Sequence, residues 1–397
     1  MTITVRDLES LRQGEPPADN ELLVDMTVES ETWLDGFAEH YLSNYVANGG
    51  SKVKVLIGSA GVGKSHLLRC VESRASKLGY IAVYFSARDW DNRLNDLPDL
   101  YRTISSKLDH EQLVRGLCLS VAANLGYGQN DYSGDTQLVP LVIEDGLNRN
   151  DAEREIRNAI GRTFRDVDFG SSFATFAYTV ARNRMITGLE EGIHIALKWL
   201  CGQKLDRHER QATGLFETLQ KVNARAWLNS LIRLLNIVGM TGLVVLIDDL
   251  ETLTERSPLN GRYLYSAMAI KDTYELLRQL IDDVEMLSGF MMLAAGRRVI
   301  VEDEKRGFKS YEALWMRLQT GLVPSEHFNP YADIVDVDAH LEALGPEFAQ
   351  KLSTQLRQVL QAWGCRRIVG DEIPDLTEQT PLRAAVMENA WLAERTV

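Results

Sequence analysis

Residues 58–65 read GSAGVGKS, which satisfies G-x-x-x-x-G-K-[ST] in the setting that such a run requires. The residues before it, 52–57 (KVKVLI), have the composition of a short strand. Those after it, 64–77, carry helical periodicity until Gly79, and 80–85 (YIAVYF) reads as a second strand. Strand, glycine-rich turn, helix and strand in that order open a parallel sheet. A parallel sheet in turn commits the chain to an α/β fold with helices covering both faces.

The residue types of the turn point to one chemistry. Gly61 and Gly63 let the backbone curl so that successive N–H groups point inward at phosphate, and the helix that follows adds its positive N-terminal end. Lys64 is placed to reach β- and γ-phosphates as a mobile point charge, and Ser65 offers a hydroxyl to Mg²⁺. The expected nucleotide-contacting set is Gly58, Ser59, Ala60, Gly61, Val62, Gly63, Lys64, Ser65 and His66, with ATP and Mg²⁺ as the ligands.

A phosphate loop needs a metal-holding acid at the end of a neighbouring strand, and 243–251 (LVVLIDDLE) has the required form. Asp248 is the expected Mg²⁺ ligand, acting through water, and Asp249 stands where the attacking water is polarised. Glu is more usual at that second place. Asp is one methylene shorter, so either the water sits closer, or Glu251 contributes, or hydrolysis is slow.

Three arginine positions are candidates for the terminal phosphate. The strand 290–295 (FMMLAA) ends in Gly296, Arg297 and Arg298, either at the γ-phosphate edge of the sheet or in a solvated loop. Arg317, near the end of 311–318 (YEALWMRL), suits an arginine finger acting on a neighbouring subunit, with an ordinary surface residue as the alternative. Arg383, three residues into a helix opened by Thr380 and Pro381, is a third candidate.

The 397 residues allow two or three structural units. The expected division is an acidic N-terminal extension over 1–50, the first part of the core over 51–91, a helical insertion over 92–225, the second part of the core over 226–338, and a C-terminal helical lid over 339–397. Further strands are expected at 243–247, 290–295 and, from a weaker pattern, 332–337, with a helix over 263–287 between the first two. Cys70, Cys118, Cys201 and Cys365 lie far apart without a CxxC pair, which excludes a disulfide framework and a zinc site. Charges throughout the first twenty residues speak against a secretory leader, and the longest uncharged stretch, 234–247, is too short to span a bilayer. A cytoplasmic protein without membrane contact is expected.

The formal charge of -13 excludes a surface that coats nucleic acid. Ten acids against two bases put -8 of it in the first fifty residues, whereas 151–225 carries twelve Lys and Arg against ten acids. There Arg154, Arg157, Arg162 and Arg165 recur at helical spacing with Glu153, Glu155 and Asp166 interleaved. Such a pattern fits a salt-bridged, solvated face better than a stripe for DNA phosphates, and direct contact with DNA stays open.

The order of these signals, phosphate loop on the first strand, Asp-Asp on the third, a sensor strand, an Arg before the fifth and then helices, resembles AAA+ ATPases. Within these, the chain resembles the ATP-binding proteins of BREX-type bacterial phage-defence loci. The likeness rests on RDLESLRQGEPP (6–17), IGSAGVGKSHLLR (57–69), GLVVLIDDLETL (242–253), GFMMLAAGRR (289–298) and RGFKSYEALWMRL (306–318). The family pattern has Asp-Glu where this chain has Asp248-Asp249, a departure that bears on hydrolysis rather than on binding. What the resemblance implies is an AAA+ core of five parallel strands with a helical insertion and lid. It further implies a homo-oligomer whose ATP hydrolysis drives or switches a defence assembly acting on DNA with helicase, nuclease or methyltransferase partners. Two other classes fit the residues: a nucleotide-gated scaffold that recruits a nuclease or helicase with little hydrolysis, which Asp249 favours, and a loader or target-selection ATPase of replication or transposition.

Overall fold

A computed structural model describes residues 2–89, 94–165, 168–282, 287–319, 331–345, 347–368 and 373–395. Asn92, Arg93, Asp166 and residues 283–286 of the helix expected over 263–287 lie outside them. Five strands form the sheet: β1 Ser51–Ile57, β2 Ile81–Ser86, β3 Leu243–Asp248, β4 Phe290–Gly296 and β5 Ile334–Asp336. All pair in parallel in the order β2-β3-β4-β1-β5. Every carboxyl end therefore opens on one edge, where the phosphate loop, Asp248 and Arg297 all lie.

The strands read as nearly continuous apolar runs because both faces are covered. Alternate residues divide between two clusters, as the period of two requires. Val53, Val55, Val245, Ile247, Phe290 and Met292 face one side. Leu56, Val244, Leu246, Met291 and Leu293 face the other, against the helix Lys64–Lys77 and the N-terminal segment from Trp33 to Val46. The first cluster runs on without a break into the helices between β2 and β3, where Phe173, Phe176, Trp199 and Trp227 are buried. Trp199 and Trp227 meet with ring centroids 4.4 Å apart. On the outside of this insertion, Arg154 pairs with Asp151, Arg157 with Glu153 and Arg162 with Glu155.

A third cluster joins the two ends of the chain. Leu8, Leu11, Leu22 and Met26, from the helices Val5–Arg12 and Asn20–Met26, pack on Leu356, Val359 and Leu360 of the helix Phe348–Ala362 and on Trp363, which caps it. A two-stranded antiparallel ribbon, β6 Cys365–Arg367 with β7 Ala393–Arg395, closes the unit beside the helix Pro381–Trp391. The acidic N-terminal extension is thus half of an N- and C-terminal clasp. One leucine and methionine stripe is buried, and with it Asp7, whose carboxylate accepts from the Thr4 hydroxyl and the Ala18 N–H.

No helix among the described residues is long and apolar enough to cross a membrane.

Candidate functional site

The loop after β1 turns on two glycines with positive φ, Gly61 at 75° and Gly63 at 93°. Gly63 stands immediately before the helix Lys64–Lys77, so the free N–H groups of the first helical turn face the loop's interior. Lys64 bends back over the loop and donates from Nζ to the carbonyls of Gly58 (3.1 Å) and Ser59 (2.7 Å). Burial holds its ammonium below the ordinary lysine range, while the carboxylates of Glu251, Asp248 and Asp338 act the other way. Such a lysine is desolvated and faces several acids, the setting in which an incoming anionic ligand gains most from it.

Asp248 ends β3, with one carboxylate oxygen accepting a hydrogen bond from the Tyr84 hydroxyl (2.8 Å) and the other from the Asp249 N–H. Asp249 adopts a left-handed conformation, φ 58°, uncommon for a residue with a side chain. Its oxygens are bonded by Ser86 Oγ at 2.6 Å and Arg88 Nε at 3.2 Å. Glu251 is 5% exposed and accepts from the Arg297 N–H at 3.1 Å, with the Arg297 and Arg88 guanidiniums at 3.2 and 3.5 Å. Arg88 also holds Glu255 at 2.7 Å. The acids after β3 are therefore bound together by two arginines, one from the end of β2 and one from the end of β4.

The adjacent arginines part company. Arg297 turns to Glu251, whereas Arg298 pairs with Asp336, the last residue of β5, and with Asp338 just beyond it. Asp338 in turn accepts from the N–H and hydroxyl of Ser59, at 3.0 and 3.1 Å, and so ties the end of β5 to the phosphate loop. Arg383 comes to the same loop from the far end of the chain. Thr380 Oγ1 donates to the Gly61 carbonyl at 2.9 Å, and a Cβ on Gly61 would stand 3.1 Å from Arg383 Cβ. Arg317 is elsewhere: it pairs with Asp282 and donates to the Ala313 carbonyl, and it does not line the cleft.

Over the loop lies a cavity of about 700 Å³, within the range of small-molecule and cofactor sites. Its lining combines polar residues, Lys64, Ser65, Asp248, Asp249 and Glu251, with apolar ones, Met26, Val28, Trp33, Leu341, Leu352 and Val386. His66 lines it too, its Nε2 lying 3.1 Å from Thr27 Oγ1. No group of three His, Cys, Asp or Glu among the described residues could hold a metal by itself. Ser65 and Asp248 suit a hard cation that takes most of its oxygens from phosphate and water, as Mg²⁺ does.

Sequence reasoning overlooked Tyr84, Ser86 and Arg88 at the end of β2, Glu15 in the cleft, and Asp338. The first three had one usable signal: β2 must also end on the ligand-bearing edge of a parallel sheet. Glu15 and Asp338 had none, because their places depend on contacts across most of the chain.

Compared with known proteins, residues 8–380 match the family model described as BREX system ATP-binding protein BrxC/D. No curated protein and no solved structure matches the chain.

Proposed function

The chain belongs to the BREX system ATP-binding protein family, and from that premise we propose that it binds ATP with Mg²⁺ over residues 58–65 and hydrolyses it to drive or switch an anti-phage assembly. The observation that carries this reading is the meeting of the glycine-rich loop, Lys64 and Asp248 in one cavity whose lining also includes enough apolar residues for a base. In it, the loop N–H groups and Lys64 take the β- and γ-phosphates, Ser65 and Asp248 hold Mg²⁺, and Arg383 approaches the phosphates from the C-terminal helix. When bound, the cation neutralises charge developing on the phosphate oxygens. Asp249 or Glu251 orients the attacking water, and Arg317 acts on a neighbouring subunit of a homo-oligomer. The strand order and the helices on both sides support an AAA+ core with an insertion over 92–225 and a lid over 339–397.

Replacing Lys64 by alanine is the direct test. Titration calorimetry should show ATP binding reduced at least about tenfold, as expected for loss of a charge-assisted bond; undiminished binding and turnover would remove the site assignment.

One observation favours a second reading. Each oxygen of Asp249 already accepts a contact, from Ser86 and from Arg88, so an attacking water must share those oxygens with two donors. A nucleotide-gated switch with little hydrolysis fits that geometry, and tight ATP binding with negligible turnover would support it. Since Arg154, Arg157 and Arg162 are paired on their own helix, action on DNA is best assigned to helicase, nuclease or methyltransferase partners. Salt-dependent binding of duplex DNA by the isolated chain would overturn that assignment.

A further inference from the structure

Residues 13–19 connect the two N-terminal helices, and within them Gly14, Glu15 and Pro16 line the cleft, so that 13–16 form a strap against it. Gly14, with φ 72°, lies so close to the C-terminal helix that a Cβ there would stand 2.6 Å from Arg383 Nε. Arg383 donates from Nη2 to the Gln13 carbonyl at 2.8 Å, and the same nitrogen lies 3.5 Å from Glu15 Oε1. Its Nε is buried without a hydrogen-bond partner among the described residues. Glu15 lines the cavity together with Lys64, Asp248 and Asp249. Burial pushes its carboxyl above the ordinary range; Arg383 opposes this, and the charges of Asp248 and Asp249 add to it. The strap's carboxylate therefore shares the space at the end of β3, where a phosphate chain carries its terminal group and metal.

We propose that Glu15 competes with the terminal phosphate of the nucleotide for Arg383, so that residues 13–16 set how the cleft discriminates triphosphate from diphosphate. This rests on the ATP-site reading above. The diphosphate portion is cradled by the loop N–H groups, whereas the added phosphate of ATP projects toward Asp248 and Lys64. Two anions cannot both occupy one guanidinium without like-charge repulsion, and five other carboxylates line the cleft. ATP must displace Glu15; ADP leaves the pair in place. Glu15 thereby weakens ATP binding, and its release frees the strap that joins both halves of the clasp.

The test measures the Kd of Mg-ATP and Mg-ADP by titration calorimetry on the full chain, as wild type, Glu15→Gln, Arg383→Gln and the double variant. Glu15→Gln should tighten ATP about fivefold, the scale of a partly exposed ion pair, and leave ADP within about twofold. Arg383→Gln should weaken ATP and abolish the effect of Glu15→Gln in the double variant. The proposal is overturned by an equal shift for ATP and ADP, by no shift, or by an effect of Glu15→Gln that survives in the Arg383→Gln background. Matching thermal midpoints for wild type and Glu15→Gln show that the change is in the site. If Lys64→Ala leaves nucleotide binding intact, the ATP-site reading itself fails; if Lys64→Ala abolishes binding while Glu15→Gln does not discriminate, only the strap is refuted.

Discussion

On the proposed ATPase reading, hydrolysis turns on Asp249. Its left-handed backbone directs the carboxylate toward β2, where Ser86 and Arg88 hold it. Glu251 is held by the Arg88 and Arg297 guanidiniums and, unlike Asp249, also accepts from a backbone N–H at the end of β4. This asymmetry separates the two carboxylates by experiment. Asp249→Asn should reduce multiple-turnover phosphate release by at least about a hundredfold, the contribution of a positioned general base, and leave ATP affinity within about twofold. Should Asp249→Asn keep turnover while Glu251→Gln removes it, Glu251 is the base. The loop and Asp248 were legible because each is a local run beside its own strand. Arg88 was not, since its value lies in reaching acids more than 160 residues away, which only the adjacency of β2 and β3 arranges.

Among the elements, the strands were readable from their β-branched and apolar runs, and β5 was the weakest because only three residues pair. The helix expected over 263–287 begins at Ala267, since Arg256 and Tyr263 form a bridge across the turn that precedes it. The ribbon of β6 and β7 was missed, as three-residue strands carry no alternation to read. One strand holds a residue that no strand pattern predicts. Lys54 is fully buried in β1, its Nζ donating to the Tyr41 hydroxyl at 3.1 Å and to the carbonyls of Tyr331 and Ala332. Burial, with Lys52 nearby, lowers its ammonium from 10.5 to about 7, against a partial pull upward by Asp333. The unfolded chain therefore binds more protons than the folded one between these values, and this lysine's contribution to stability grows as pH rises through that window. It is complete above the ordinary lysine value and is lost as pH falls toward about 7. Denaturant midpoints measured from pH 7 to 10 should rise more steeply for wild type than for Lys54→Met; parallel slopes would mean that Lys54 stays charged when buried.

At the scale of the whole molecule, the cleft is closed by parts from both ends of the chain. Met26, Val28 and Trp33 come from the N-terminal segment and Leu352 and Val386 from the C-terminal helices, while the loop between them belongs to the sheet. The acidic charge that sets this chain apart sits on a segment whose apolar stripe holds the clasp together, so the extension bears on nucleotide binding through packing as well as through Glu15. Leu360 tests this without touching the site, since it is buried in the clasp and does not line the cavity. Truncating a buried leucine to alanine costs about 2–5 kcal/mol, and here the loss falls on the clasp, whose contacts are separate from both sheet clusters. A clasp that is open part of the time lowers apparent affinity in proportion to the closed fraction. Leu360→Ala should therefore weaken ATP binding about tenfold or more, and proteolysis should cut first within the N-terminal segment while the sheet core survives. ATP affinity equal to wild type in a protein whose N-terminal segment is demonstrably cut faster would show that the cleft needs only the sheet and its loop.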